Sequence, residues 1–270
     1  AVLALNPAGT ATYIYGRDVG GEGMWGLAGR IVLPEGGVDA LDGDTLAYSH
    51  SRADFDGQLQ VGQVHMLERG PDGPADWHYD QSLRASDGDA QDHFGLRNAL
   101  SGDRLLIGVP DEDEFGDDSG AAYVFERDER GEWIEVAKLF QQPQPEENDD
   151  FGDAIDLDVD TALVGNDGGI GTEGAFVYQR DAAGDWVFIQ DLRPSEGGSQ
   201  GFGKSVGLSG SVAGVGARSH PLPDVDGAGA VFVYERHAGG TDAWGEVTKL
   251  LGTDPEELDA FGDVTRADGN

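Results

Sequence analysis

Five tryptophans stand at nearly even intervals in this chain of 270 residues: Trp25, Trp77, Trp133, Trp186 and Trp244, spaced 52, 56, 53 and 58 residues apart. Six positions after each comes an aliphatic residue, Ile31, Leu83, Leu139, Leu192 or Leu250. Upstream of each lies a five-residue stretch ending in arginine: Tyr13-Ile14-Tyr15-Gly16-Arg17, His65-Met66-Leu67-Glu68-Arg69, Tyr123-Val124-Phe125-Glu126-Arg127, Phe176-Val177-Tyr178-Gln179-Arg180 and Phe232-Val233-Tyr234-Glu235-Arg236. A third motif pairs Phe-Gly with a turn seven residues on: Phe94-Gly95 with Gly102-Asp103, Phe151-Gly152 with Val159-Asp160, Phe202-Gly203 with Gly210-Ser211, and Phe261-Gly262 with Gly269-Asn270. A degenerate copy runs from Glu35-Gly36 to Gly43-Asp44. Three motifs recurring in fixed order at a period of about 54 residues mean one supersecondary unit repeated five times.

Each unit reads as four short strands. In the third copy these are residues 94–100, 104–109, 121–127 and 133–140, linked by the turn Ser101-Gly102-Asp103, an acidic loop over 110–120 and a turn over 128–131. The second strand is apolar around Leu105, Leu106 and Ile107, and the fourth interrupts its apolar residues with Glu135 and Lys138. No amphipathic helical stripe separates them. Four strands per unit, repeated, predict an all-β fold: a β-propeller of four-stranded blades in one domain over residues 1–270. The opening residues 1–7 align without a gap on residues 104–110, the second strand of a unit. The C-terminal strand expected over 261–270 then completes the first blade and closes a five-blade ring; the alternative is a portion of a larger propeller.

The run Asp92-His93-Phe94-Gly95, followed by residues 102–110 and by Gly120-Ala121-Ala122-Tyr123-Val124-Phe125, resembles an FG-GAP repeat, the blade unit of integrin α-subunit heads and of many bacterial and archaeal surface proteins. The resemblance extends over essentially the whole chain and implies a β-propeller, usually of seven blades, in an extracellular or cell-surface protein. Two features depart from the family. Calcium-binding members carry a long Asp/Asn-rich loop after the Phe-Gly strand. Here that link is only residues 100–103 or 208–211, too short to supply six to eight oxygens. The family's Gly-Ala-Pro element is replaced by Gly108-Val109-Pro110, Gly165-Asn166-Asp167 and Gly216-Ala217-Arg218.

Fifty-two acidic side chains face seventeen basic ones, a formal charge of −35, with no cysteine and only three lysines, Lys138, Lys204 and Lys249. The basic clusters that neutralise phosphates are absent, which excludes nucleic-acid binding. No cysteine means no disulfide, thiolate metal site or cysteine nucleophile. No apolar run is long enough to cross a membrane. An acid-rich, lysine-poor composition suits high salt, where self-repulsion is screened, and a halophilic source is expected.

Metal-site candidates lie in the acidic loops between second and third strands. Asp54-Phe55-Asp56-Gly57 and Asp224-Val225-Asp226-Gly227 open like calcium loops, and Asp111, Asp113 and Asp117 crowd the loop of the third repeat. Hard oxygen ligands beside a turn glycine suit calcium, but the distal glutamate of a full loop is missing. No cofactor is required on this reading, with calcium as the possible ion. The repeated Trp reads as packing between blades, and the repeated Arg as one ion pair or carbonyl contact per blade. The six histidines show no metal-ligand spacing. The expected function is non-catalytic: a binding, adhesion or structural module that presents its loops to a protein or glycan, with a larger multidomain protein as one setting for it. A carbohydrate-active enzyme using paired carboxylates is the alternative.

Overall fold

The computed structural model describes residues 2–5, 12–17, 19, 21–31, 37–73, 76–166, 168, 173–196 and 200–267. Glu35-Gly36, Asp167 and the last three residues of the expected 261–270 strand lie outside them. Among the described residues the chain is all-β, with nineteen strands in five sheets. The first sheet orders β1 (Val2–Leu5), β2 (Thr12–Arg17) and β3 (Trp25–Ile31). The second orders β4 (Gly37–Asp42), β5 (Thr45–His50), β6 (Gln63–Arg69) and β7 (Trp77–Leu83). The third runs β8 (Arg97–Ser101), β9 (Arg104–Val109), β10 (Ala121–Arg127), β11 (Trp133–Leu139). The fourth comprises β12 (Ala154–Asp158), β13 (Thr161–Asn166), β14 (Gly174–Arg180) and β15 (Trp186–Leu192). The fifth comprises β16 (Phe202–Ser209), β17 (Val212–Ala217), β18 (Ala230–Gly240) and β19 (Ala243–Leu250). Each sheet is a meander in chain order, and the four-stranded repeat read from the sequence is present in four of the five, the first having three strands among the described residues.

The second and third strands of a sheet are apolar on both faces because both are covered. All six residues of β13 and the first five of β10 and β14 are buried. Outer strands show the opposite: Ile134, Val136, Val187 and Ile189 stay exposed. The register of β3, β7, β15 and β19 against its neighbour slips by one residue, leaving Ala28, Asp80, Ile189 and Val247 as the extra residue. A bulge three positions after each of these tryptophans bends the sheet edge and discourages pairing with another chain. The arginine ending each third strand stands opposite the tryptophan opening the fourth, as in Arg69↔Trp77 and Arg236↔Trp244.

The chain divides into two compact units, residues 1–105 with 125–136, and residues 106–124 with 137–270. The first contains a core of Ile14, Ile31, Leu46, Tyr48 and Leu67, against which Trp77 packs half-buried. The second contains a larger core with Leu163, Val177, Leu192, Phe202, Val215, Phe232 and Trp244. Buried phenylalanines of the Phe-Gly motif meet the third-strand aromatics edge-on: Phe151 with Phe176 at 5.6 Å and Phe202 with Phe232 at 5.6 Å between centroids, the preferred geometry for ring quadrupoles.

Two sequence expectations change. The first strand of the third sheet begins at Arg97, not at residue 94, because Phe94 makes a parallel bridge to Gly62 of the second sheet. Phe151 does the same with Gly120, and Phe261 with Gly229. Residues 262–267 form no strand ladder. They lie against the fifth sheet, where Ser205 Oγ is 2.8 Å from the Gly262 carbonyl and 2.7 Å from Thr265 Oγ1.

Glycine is required where the bridges form. Gly120 has φ +77°, and a Cβ there would fall well inside 3.0 Å of the Phe151 backbone, whereas one at the turn residue Gly102 meets nothing. Val159 occupies the turn position of Gly43, Gly102 and Gly210 with φ 51°, which costs a β-branched residue about 1–2 kcal/mol. Accordingly Gly120→Ala should destabilise by more than about 3 kcal/mol, Gly102→Ala by about 1, and Val159→Gly should stabilise by about 1 kcal/mol. Urea unfolding midpoints of the three variants test this ranking.

Candidate functional site

The loops joining second to third strands hold all seven acidic candidates, and the next Phe-Gly segment fastens each described loop. In the second sheet the carbonyls of Leu59, Gln60 and Val61 accept from the backbone N–H groups of Gln91, His93 and Phe94 at 2.9, 3.1 and 2.9 Å. In the third sheet Asp117 and Asp118 accept from Asn148 and Asp150 at 2.9 and 3.0 Å. In the fifth, Asp226, Gly227 and Ala228 accept from Leu258, Ala260 and Phe261 at 3.0, 3.2 and 3.0 Å. Left-handed residues recur at matching places: Gln60, Asp118 and Gly227 on the loop, and His93, Asp150 and Ala260 opposite. An aspartate braces each opposite segment. Asp92, Asp149 and Asp259 accept from the N–H three residues earlier, at 2.7, 2.6 and 2.7 Å. His93 belongs to this clasp, with its Nε2 2.9 Å from Gln60 Oε1.

The clasp fixes what the acids can do. Asp54 Oδ1 accepts from Gln60 N at 2.9 Å, and Asp113 Oδ1 from Asp118 N at 2.8 Å, so both carboxylates close their own turns. Asp56 and Asp224 take left-handed backbone conformations. Asp117 and Asp226 contribute their carbonyls to the clasp. Asp111 lies beside them at the start of its loop. In the same loop Lys138 Nζ reaches Glu112 and Glu114 at 2.7 and 2.9 Å. The donor set of a calcium loop is therefore partly spent on internal hydrogen bonds and a resident ammonium.

Apolar side chains stand out among these acids. Phe55 is 44% exposed beneath the Arg84 guanidinium, 3.7 Å from its ring centroid, and Phe115 is 47% exposed and edge-on to Phe140 at 4.7 Å. Leu59 projects nearby on the Phe55 loop. The cations follow a rule invisible in the notation of motifs. Arg30, Lys138, Arg193 and Lys249 each lie within 6 Å of the third-strand aromatic of their own sheet, Tyr13, Tyr123, Phe176 and Phe232, a cation–π arrangement.

The second sheet breaks this rule, because His65 replaces the aromatic. Arg84 Nη2 donates to Gln63 Oε1 at 2.8 Å, which turns the Gln63 amide nitrogen toward His65 Nε2 at 2.9 Å. His65 Nε2 is then the acceptor, so Nδ1 carries the proton and donates to Ser82 Oγ at 2.6 Å. Tyr79 also donates to Ser82 Oγ, at 3.1 Å. A histidine that donates to serine cannot take its proton as a general base. Burial, with His50 and Arg84 nearby, holds the His65 pKa below its ordinary value, and the ring stacks on Tyr48 at 5.5 Å.

The arginine and tryptophan readings can now be placed. Arg69 pairs with Asp44, Arg127 Nη1 with Glu68 at 3.0 Å, and Arg236 Nη2 donates to Gln179 Oε1 at 2.8 Å. Trp133 and Trp244 are 3% exposed, Trp77 and Trp186 half-buried, and Trp25 is 53% exposed, so one register does not give one environment.

Residues 77–125 match the FG-GAP repeat family. A protein from Lactobacillus plantarum, of known crystal structure from a structural genomics programme, superposes with a TM-score of 0.51 at 12% identity, covering 96% of this chain and 72% of that one. At that identity the likeness is one of fold. No curated protein matches the chain.

The lowered His65 pKa sets a pH dependence. As pH falls through about 6.5, the unfolded chain takes up the proton first, so the stability present above that value is lost toward the folded pKa. His65→Phe should flatten the unfolding free energy between about pH 7 and 5 relative to the parent chain. Equal slopes in the two proteins would dispose of this assignment.

Proposed function

We propose that this chain is a non-catalytic β-propeller module of a secreted or cell-surface protein that binds a protein partner through its clasped loops. The observation that carries the reading is the clasp itself. It holds exposed Phe55, Leu59 and Phe115 in fixed positions among carboxylates without drawing on side chains for anything but support. Apolar anchors in a polar, charged rim are the usual anatomy of a protein-binding patch. With a net charge of −35, the partner surface is basic, and attraction between the two speeds encounter and weakens with salt.

The absence of catalysis is supported by the direction of the His65–Ser82 hydrogen bond, which leaves that serine unactivated. A glycan ligand is the second reading, favoured by the exposed faces of Phe55 and Phe115, on which a sugar ring would stack. Calcium is no structural requirement on this view, because Asp54, Asp113 and Lys138 already satisfy part of the loop oxygens.

Panning a random-peptide library on the immobilised chain tests the main reading. Enriched peptides should be basic, bind less well as salt rises, and lose binding to Phe55→Ser and Phe115→Ser, which keep the parent unfolding midpoint. Neutral peptides indifferent to both substitutions would refute it, and ordered binding on a glycan array would turn the assignment to sugars. Millimolar calcium at constant ionic strength should leave the melting temperature unchanged, since an ion bound only to the folded state raises it.

A further inference from the structure

Arg84 joins two side chains of the second sheet that have no contact of their own to explain. Its guanidinium lies 3.7 Å from the ring centroid of Phe55, on the loop after β5, and its Nη2 donates to Gln63 Oε1, at the start of β6, at 2.8 Å. Among the described residues Gln63 Oε1 is the one hydrogen-bond acceptor that Arg84 reaches, and its buried Nε has none. A single amide oxygen therefore keeps the cation over the ring. In the other sheets the cation lies on the third-strand aromatic itself. Only in the second, where His65 takes the place of that aromatic, is the cation handed on to Phe55.

The orientation of that amide is set by His65, whose ring is fixed from three sides. Its Nδ1 donates to Ser82 Oγ at 2.6 Å, its face stacks on Tyr48 at 5.5 Å and 16°, and Tyr79 stands tilted against it at 5.9 Å. The Gln63 backbone is fixed as well, paired with His50 across β5 and β6. What remains free to turn is the last bond of the Gln63 side chain, whose two orientations exchange oxygen for nitrogen. Neutral His65 accepts at Nε2, so it takes the Gln63 amide nitrogen at 2.9 Å and leaves Oε1 to Arg84. A protonated histidine donates at both ring nitrogens. It then requires an acceptor where the Gln63 nitrogen stands. With the amide turned over to supply one, its nitrogen meets the guanidinium donor to donor.

We propose that the second sheet carries a proton-operated cover on Phe55: His65 takes a proton from solvent, the Gln63 amide turns over, and Arg84 leaves the phenylalanine face. Charge acts in the same direction. The charged groups that bear on His65 are His50, at the end of β5, and Arg84, after β7, and both are cationic when charged. Each opposes a proton on the ring and is repelled once one is there. Tyr48 and Tyr79 are the phenols against the ring. Phe55 is one of the anchors assigned above to a basic partner, and the use of the cover rests on that reading. Mild acid removes the resident cation and offers the ring face to a cation of the partner. The cover itself belongs to this chain alone.

The test follows the Arg84 side chain of the full chain by NMR with isotope-labelled arginine and histidine, from about pH 8 to about pH 5, across the ordinary histidine range. Arg84→Lys assigns its resonances, and Phe55→Leu shows which part of their upfield shift the ring imposes. That shift should be lost with the midpoint at which His65 titrates. Gln63→Glu should keep it throughout, since a carboxylate accepts from both cations whichever way it turns. Gln63→Leu should abolish it already at the alkaline end, and this variant decides the matter if the chain unfolds before His65 titrates. An Arg84 shift that passes unchanged through the His65 titration, falls away equally in Gln63→Glu, or survives in Gln63→Leu overturns the proposal. No partner is present in the measurement, so its failure is separate from a failure of peptides to bind through Phe55.

Discussion

The rest of the structure depends on the approach of one backbone to another at Gly62–Phe94, Gly120–Phe151 and Gly229–Phe261. Each bridge ties the mouth of a loop to the Phe-Gly segment that follows its sheet, at a separation no side chain tolerates. Buried amides at such a crossing must find partners within the protein, and the crossing supplies them as a short parallel ladder. Phe94 and Phe151 are thereby buried in the core, where they meet the aromatics of the third strands edge-on, while Phe261 stays exposed. At Phe94, Phe151 and Phe261 the Phe-Gly pair is thus a joint outside the strand ladders, whereas Phe202 opens β16.

Most of the periodicity is legible from residue types because its causes are local. A tryptophan opposite an arginine, a left-handed turn glycine and a doubly buried third strand each leave a mark at one position. What is not legible is whatever joins residues 50 or more apart. Gln81 and Trp133 are 52 apart, Ser86 and Glu135 are 49 apart, and no motif within one repeat announces either pair. The uneven tryptophan intervals, 52, 56, 53 and 58, are the one trace of such pairing that the sequence carries. Strand one was misplaced for the same reason: the partner that takes Phe94 out of its own sheet lies in the sheet before it.

The acidic loops were legible as a composition but not as chemistry. Sequence shows Asp54, Asp113 and their neighbours as free ligands, because nothing in it says that Gln60 N and Asp118 N will turn back on them. The scarce cations show the converse. All three lysines sit in ion pairs, Lys138 with Glu112, Lys204 with Asp153 at 2.7 Å, and Lys249 with Glu196. Two of them also cover an aromatic ring. In a chain this acidic each lysine stands where a partly buried carboxylate or a ring face makes a positive charge most favourable.

Such placement has a consequence for the surface. With a net charge of −35 and every lysine in an ion pair, the acids of the chain far outnumber the cations available to them. For the proposed binding role, such an excess would attract basic partners without choosing where they bind. Selection among loops must come from short-range features, which differ from sheet to sheet: Phe55 under Arg84 in one, Phe115 against Phe140 in another, and the Leu222–Val225 hairpin in a third. The repeat provides the frame of each sheet, and in the proposed binding role recognition would reside in the few positions where successive copies disagree.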